Sequence, residues 1–258
     1  MQGTVRRLFH YPVKGLSPQP LESVLLTPGQ GFPFDRVFAF ARPGSGYDPS
    51  AFRPLPKTRF YMLARDAALA ALDTSFDPST CRLRIASEGG VMFDGSIDTA
   101  DGAEAAREAL AGFLGLEPDE VPLLAAAPDD TRFTDVSVRS AEMMQAVSLI
   151  NLASVRDLGE RIGAEIDPLR FRANIYVDGW PAWSELDLED RPISIGPTRF
   201  HGVLRTRRCP ATEVNPETAT RDLDIPRHLS EHLGHSDMGL YAEVMSGGEI
   251  AVGQDVLA

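Results

Sequence analysis

Cys209 follows Arg205-Thr206-Arg207-Arg208 directly, and the chain has only one other cysteine, Cys81. The thiolate is the nucleophilic and metal-binding form of cysteine, and guanidinium charges beside a thiol favour that form. Arginines presented together also bind phosphate through paired hydrogen bonds. The window 191–212 holds five arginines (191, 199, 205, 207 and 208) and no acid. Thiol and arginines together predict an anionic ligand with a soft centre. The competing reading is a small core cysteine beside arginines that alternate into solvent. Lysine carries a different signal. Lys14 and Lys57 are the only two in the chain, so a lysine in the turn Tyr11-Pro12-Val13-Lys14-Gly15 is not generic surface filler.

Two other groups look chemical. Residues 228–232 read His-Leu-Ser-Glu-His and His235 follows. That spacing matches a zinc-hydrolase helix, with two histidines one turn apart and a glutamate base. The helix is short, little chain follows to supply a further ligand, and an amphipathic surface helix places the same polar groups outward. A surface helix is the expected reading. Trp180 and Trp183 lie near a cluster of arginines and either wall a pocket or pack a core. Cys81, before Arg82-Leu83-Arg84, reads as structural.

Elements must carry these residues. Strand-like runs occupy 4–9, 21–26 and 34–41, with a hairpin over 82–86 and 90–93 and short strands at 173–178, 193–195, 198–204, 241–245 and 249–252. A short helix is expected over 66–72. A longer one starts at Asp101, which can cap it, and ends at Gly115. Another runs from a Ser148 cap to Ile162. A last helix, near 225–233, has Asp224 as cap, Pro226 in the first turn and Gly234 at the end. The Gly/Pro-rich stretch 42–57 reads as a long loop of the kind that gates sites or moves. The stretch around Pro118, Pro122 and Pro128 reads as a linker or domain seam. Many short strands with few helices predict a β-rich α+β protein built on two β-barrel-like domains.

Composition sets outer bounds. With 258 residues, 43% of them hydrophobic, the chain can bury a real core. The net charge of −12 disfavours a nucleic-acid sheath or an anionic membrane surface as partner. Ten acids and one arginine fall between Asp94 and Asp130, so much of the negative excess is confined to one segment. The N-terminus lacks the apolar run of a signal peptide, and no stretch approaches the roughly 20 apolar residues of a membrane span. Two cysteines make neither a disulfide framework nor an iron–sulfur site. A cytoplasmic protein is expected.

Several motifs occur in order: Tyr11-Pro12-Val13-Lys14-Gly15, Asp35-Arg36, Arg170-Phe171-Arg172-Ala173-Asn174, Trp183-Ser184-Glu185, and Arg208-Cys209-Pro210-Ala211-Thr212 with Val214, Pro216 and Thr218 after it. A Gly-x-Ile-x-Val-Gly-x-x-Val pattern closes the chain over 248–256. Together they resemble the MOSC family, whose relatives include the C-terminal part of molybdenum cofactor sulfurases and the mitochondrial amidoxime reducing component. The resemblance implies an N-terminal β-barrel domain over 1–120 and a MOSC domain over 121–258. It implies the molybdenum cofactor, a molybdopterin, as ligand, with Cys209 as the metal-bound catalytic residue. Lys14 and Arg36 match positions that contact the cofactor's phosphate. Arg170, Arg172 and Asn174 match the motif lining that site, and Thr206 and Arg208, which flank the cysteine, are candidate pterin contacts. The implied activity is an oxidoreductase acting on an N-hydroxylated or otherwise N-oxygenated small molecule, with electrons from a separate protein. The alternative is a non-redox carrier holding a persulfide on Cys209. A fused ferredoxin tail is not expected from two cysteines, nor a pyridoxal-phosphate module from this length. Gly15, Thr206, Asn215 and Ala219 depart from residues common in relatives and bear on the branch, hence the substrate.

Overall fold

Alternating burial along Gln2–His10 marks the first strand, β1, whose inward Val5 and Leu8 have essentially no exposed surface. The computed structural model describes residues 1–128 and 131–258. The strands that follow are β2 (Gln19–Leu21), β3 (Ser23–Leu26), β4 (Phe38–Ala41), β5 (Asp73–Asp77), β6 (Arg82–Ser87), β7 (Gly90–Ser96) and β8 (Leu123–Ala126). Then come β9 (Val147–Asn151), β10 (Ile175–Asp178), β11 (Pro192–Ile195), β12 (Thr198–Arg207), β13 (Asp237–Ser246), β14 (Gly248–Ala251) and β15 (Asp255–Leu257). The helices are α1 (Ala100–Leu114), α2 (Ala141–Met144), α3 (Leu152–Ile162) and α4 (Ile225–Leu233).

Seven strands close a barrel in the order β10-β9-β13-β12-β11-β15-β1, and β1 pairs back onto β10. Only β9 and β10 run parallel within it, Leu149 opposite Ile175. A parallel pair needs a crossover, and α3 supplies it. Val5, Leu149, Val177, Ile193, Ile195, Leu240 and Val256 fill the interior. Each such side chain contributes about 1.5–3 kcal/mol on burial. Around the barrel lie three small open sheets: β5-β6-β7, β4-β8 and β14-β3. Leu110 of α1 packs with Leu83 and Ile85 of β6. α3 and α4 pack a third cluster through Val155, Leu158, Ile225 and Leu229, together with Tyr11 and Tyr176. The β-rich α+β class with few short helices holds, with one closed barrel. Its first strand comes from the N-terminal stretch. Among the described residues no helix is long and apolar enough to cross a membrane.

Some local expectations shift. α1 is capped by Thr99, whose hydroxyl accepts from Gly102 N–H, and Asp101 lies inside the first turn. Ser148 caps nothing. It sits inside β9, and Asn151 caps α3 by accepting from Ala153 N–H. All five residues of β9 are buried, so apolar periodicity could not separate that strand from the helix behind it. The 66–72 segment is a 3₁₀ turn over Ala67–Ala71. The seam after α1 contains β8, which pairs with β4. Asp129 and Asp130, the last acids of the acidic segment, lie outside the described residues. The last helix has the expected Asp224 cap and a left-handed Gly234 end.

Glu185 ties the third cluster to the barrel. It has no exposed surface, and one carboxyl oxygen accepts from Asn151 Nδ2 at 3.1 Å and Ser154 Oγ at 2.7 Å. Burial raises its carboxyl above the ordinary 4.5, against the pull of those donors. The folded chain therefore holds this proton to higher pH than the unfolded chain does. Its contribution favours folding on the acid side and is lost as pH rises from 4.5 through the folded value. The expected result is a loss of Tm across that window relative to Glu185→Gln, read from parallel melts. Equal slopes in the two proteins would refute it.

Candidate functional site

A cavity of about 120 Å³ collects residues from segments between Lys14 and Tyr241. Lys14, Arg36, Arg170, Arg172, Asn174, Thr206, Arg208 and Cys209 all line it. These positions are scattered over nearly 200 residues of sequence, and the fold brings every one of them to a single wall. Lys14 and Gly15 arrive in the turn after β1, and Arg36 in the approach to β4. Arg170 and Arg172 flank the end of a 3₁₀ turn, Pro168–Phe171, between α3 and β10. Thr206 is the last residue but one of β12, and Cys209 opens the next 3₁₀ turn, Pro210–Glu213.

Cys209 is partly exposed. Lys57 Nζ donates to its Sγ at 3.2 Å and to Asp135 Oδ2 at 3.0 Å. Lys14 Nζ donates to the other Asp135 oxygen and to Phe133 O at 2.9 Å. Both lysines of the chain thus converge on one carboxylate beside the thiol. Burial pulls Lys14 below an ordinary lysine, and Asp135 only partly restores it. Burial also opposes the Lys57 charge, but Asp135 and the Cys209 sulfur more than offset it and raise Lys57. Burial would raise the Asp135 carboxyl, yet the two ammonium groups hold it well below the usual carboxylate range.

The arginines are pinned at one side and free at the other. Arg170 Nη2 pairs with both oxygens of Asp222 at 2.6 and 2.9 Å, and Nη1 donates to Glu213 O at 2.9 Å. Arg172 Nη1 donates to Leu16 O at 2.7 Å, and burial lowers this guanidinium to about 10. Arg208 donates from Nε to Met238 O at 2.7 Å and from Nη1 to Phe171 O at 3.0 Å. Of the nine buried side-chain polar atoms without a partner among the described residues, five belong to residues of this cavity. They are Thr134 Oγ1, Arg170 Nε, Arg172 Nη2, Thr206 Oγ1 and Arg208 Nη2. Buried donors are almost always satisfied, so a cluster of orphans marks a place built for a ligand's acceptors. Gly239 keeps that place open. Its φ is +82°, and a Cβ there would meet Leu149 O at 2.6 Å and Arg208 Nη2 at 2.8 Å.

Two further expected residues line the cavity with their polar atoms already engaged within the protein. Asn174 lines the wall, but its Oδ1 accepts from Ser148 N and Oγ at 3.0 and 2.9 Å and its Nδ2 donates to Phe9 O at 3.2 Å. Its amide ties β9 and β1 to the start of β10. Arg36 donates to Asp35 and, at 3.0 Å, to Arg172 O. The acid-free sequence window meets the cavity only over its last part, from Thr206 to Thr212. Only Arg207 and Arg208 of its five arginines reach the cavity. Arg205 pairs with Glu189 and Asp187, and Arg199 donates to Gly196 O. Trp180 is buried in the barrel core, and Trp183 donates to Asp157 at 2.6 Å; neither lines the cavity. Cys81 packs at the edge of the α1 cluster. Lys57, Asp135, Thr134, Ser148 and Tyr241 escaped the sequence reading. Lys57 had a signal, since the scarcity that singled out Lys14 applies to it equally. Asp135 had none.

The histidine helix is α4. His228 and His232 rings lie 6.4 Å apart, His228 faces Glu231 at 3.8 Å, and no group of three or more metal-ligating side chains occurs among the described residues. The double variant His228→Ala, His232→Ala is expected to keep the metal content of the purified protein unchanged. Loss of stoichiometric zinc in that variant would reverse this assignment.

The family model of the MOSC domain matches residues 133–257. No curated protein matches the chain. Among solved structures, the YuaD protein from Bacillus subtilis is similar over 99% of this chain and 94% of its own, at 13% identity and a TM-score of 0.44. YiiM from Geobacillus stearothermophilus is similar over 43% of this chain and 52% of its own, at 17% identity and a TM-score of 0.34. The match spans β9 to β15, the crossover helix between β9 and β10, and the turns that present Arg170, Arg172, Arg208 and Cys209. Residues 133–257 of the chain therefore match the MOSC domain.

Proposed function

We propose that the cavity binds the molybdenum cofactor and that the protein is an oxidoreductase for N-hydroxylated or related N-oxygenated small molecules. One observation carries this reading: unpartnered buried donors from three arginines and two threonines surround a cavity that also holds one thiol. Guanidinium donors suit a phosphate, and a thiolate suits a soft metal centre. MOSC domains are associated with this cofactor, so domain and donor set agree. The residues fit the group. Arg172, Arg208 and Arg170 would hold its phosphate and pterin acceptors through Nη2, Nη2 and Nε, and Thr206 and Thr134 would add hydroxyls. Cys209 Sγ would be the metal ligand. When bound, the cofactor supplies two-electron oxygen-atom chemistry, while the protein orients it. Lys57 steadies the sulfur through its ammonium, and Asp135 holds Lys57 in place. Electrons come from a separate donor protein.

The test is molybdenum, pterin and cyanolysable-sulfur analysis of protein purified from a cofactor-replete host, with an amidoxime reduction assay under a chemical reductant. Equimolar molybdenum and pterin with turnover is the expected result. Pterin-free protein carrying a cyanolysable sulfur on Cys209 would overturn it in favour of a sulfur carrier, for which a partly exposed cysteine is equally suited.

A further inference from the structure

Behind the cavity wall lies a ring that makes no part of the lining. Tyr11 has no exposed surface, yet the guanidinium carbons of Arg36 and Arg172 lie 4.8 and 4.3 Å from its ring centroid. These two arginines come from opposite halves of the chain. Each sits in left-handed backbone, with φ of 54° and 50°, a conformation that costs a non-glycine residue energy and persists only where the surroundings impose it. Like charges this close repel, and Arg36 is among the groups that lower Arg172.

The ring is fixed at both ends. The Tyr11 N–H donates to Asp35 Oδ1 at 2.8 Å, and its hydroxyl donates to Ala173 O at 3.1 Å. Asp35 also pairs with Arg36, and Arg36 Nη2 donates to Arg172 O at 3.0 Å. Arg36 is thereby occupied at both terminal nitrogens. Arg172 keeps Nη2 buried and unpartnered, and the residue lines the cavity. A π face is the one apolar surface that attracts both cations at once.

We propose that Tyr11 is a positioning residue that holds Arg36 and Arg172 together, so that Arg36 braces Arg172 and leaves Arg172 Nη2 to a phosphate or diphosphate group. Without the ring the two guanidiniums separate, and Arg172 loses the side that aims its free nitrogen. The inference rests on reading the cavity as a phosphate site, and its test needs neither metal nor pterin.

Binding of inorganic pyrophosphate to the metal-free full chain is measured by calorimetry for wild type, Tyr11→Phe, Tyr11→Leu and Leu110→Ala. Leu110 is fully buried in the α1 cluster, so its variant reports loss of stability alone. Tyr11→Phe is expected to bind within about two-fold of wild type, because the ring remains. Tyr11→Leu is expected to bind at least about ten-fold more weakly, the scale of losing two stacked cations. Leu110→Ala is expected to keep wild-type affinity at a lower Tm. Should Tyr11→Leu fail to fold, stepwise fluorinated phenylalanines at position 11 keep the shape and drain the π face, and affinity should fall with each fluorine. Wild-type affinity in Tyr11→Leu or across the fluorinated series would overturn the proposal. So would equal losses in Tyr11→Phe and Tyr11→Leu, or no pyrophosphate binding in wild type. If pyrophosphate binds as expected while purified protein carries no molybdenum or pterin, the cofactor reading fails and the role of Tyr11 stands.

Discussion

Cys209→Ala is expected to lose bound molybdenum and to lower amidoxime reduction to the background rate, a fall of about a thousand-fold or more, while the protein stays folded. The two halves of that expectation come from different observations. Among the described residues the Cys209 side chain makes one polar contact, the hydrogen bond from Lys57 at 3.2 Å, and it is only partly buried. Removing one sulfur atom there leaves Lys57 its ion pair with Asp135 at 3.0 Å, so no charge is stranded. Stability should change by no more than about 1 kcal/mol. The arginines do not depend on Cys209 for their anchors, which are Asp222, Leu16 O, Met238 O and Phe171 O. The variant should therefore still bind inorganic pyrophosphate near the wild-type affinity. Urea unfolding, elemental analysis and calorimetry on the same preparation read the three outcomes. Full molybdenum retention in Cys209→Ala would remove the cysteine from the metal's coordination and with it the central assignment.

Most of this site was legible because its chemistry is carried by residue types that are rare or costly where they occur. A lysine in a chain with only two, and arginines spaced through a buried turn, have few structural excuses. Arg170 is 4% exposed and Arg208 is 9% exposed, and such burial of charge requires partners or a ligand. The gap lay with residues whose role is created by the fold. Asp135 is one of many acids and gains meaning only when two lysines from other segments meet on it. Tyr11 stood inside a recognised motif, but its neighbours Arg36 and Arg172 are joined to it only through tertiary packing. The acid-free window shows the converse. Its residues are neighbours in sequence, but successive positions of β12 face opposite ways, so Arg205 turns toward Glu189 while Thr206 lines the cavity. In the fold, α4 was legible from both caps, whereas β9 was hidden because a strand buried on both faces carries no alternation.

The largest loss of stability within the site is expected from Asp135→Ala. Lys14 is 6% exposed, and without Asp135 its ammonium keeps a single carbonyl partner, Phe133 O. Breaking a fully buried pair from one side costs about 3–5 kcal/mol. Asp135 is itself 41% exposed, so screening reduces the expected cost to about 2 kcal/mol. Lys14→Met removes the same charge from the other side. It keeps an apolar stem in the space, and Asp135 retains Lys57, so its expected cost is below about 1 kcal/mol. The double variant has no stranded ammonium. It should unfold close to Lys14→Met alone, which makes the pair strongly non-additive, with a coupling of more than about 1 kcal/mol. Urea unfolding with unchanged m-values measures all four corners of that cycle. Additive losses would mean that water reaches Lys14 and that the buried lysine is not held by Asp135. Function separates from stability in the same set. Asp135→Ala also frees Lys57 from its second anchor, so its molybdenum retention should fall below that of Lys14→Met even where the double variant has recovered its fold.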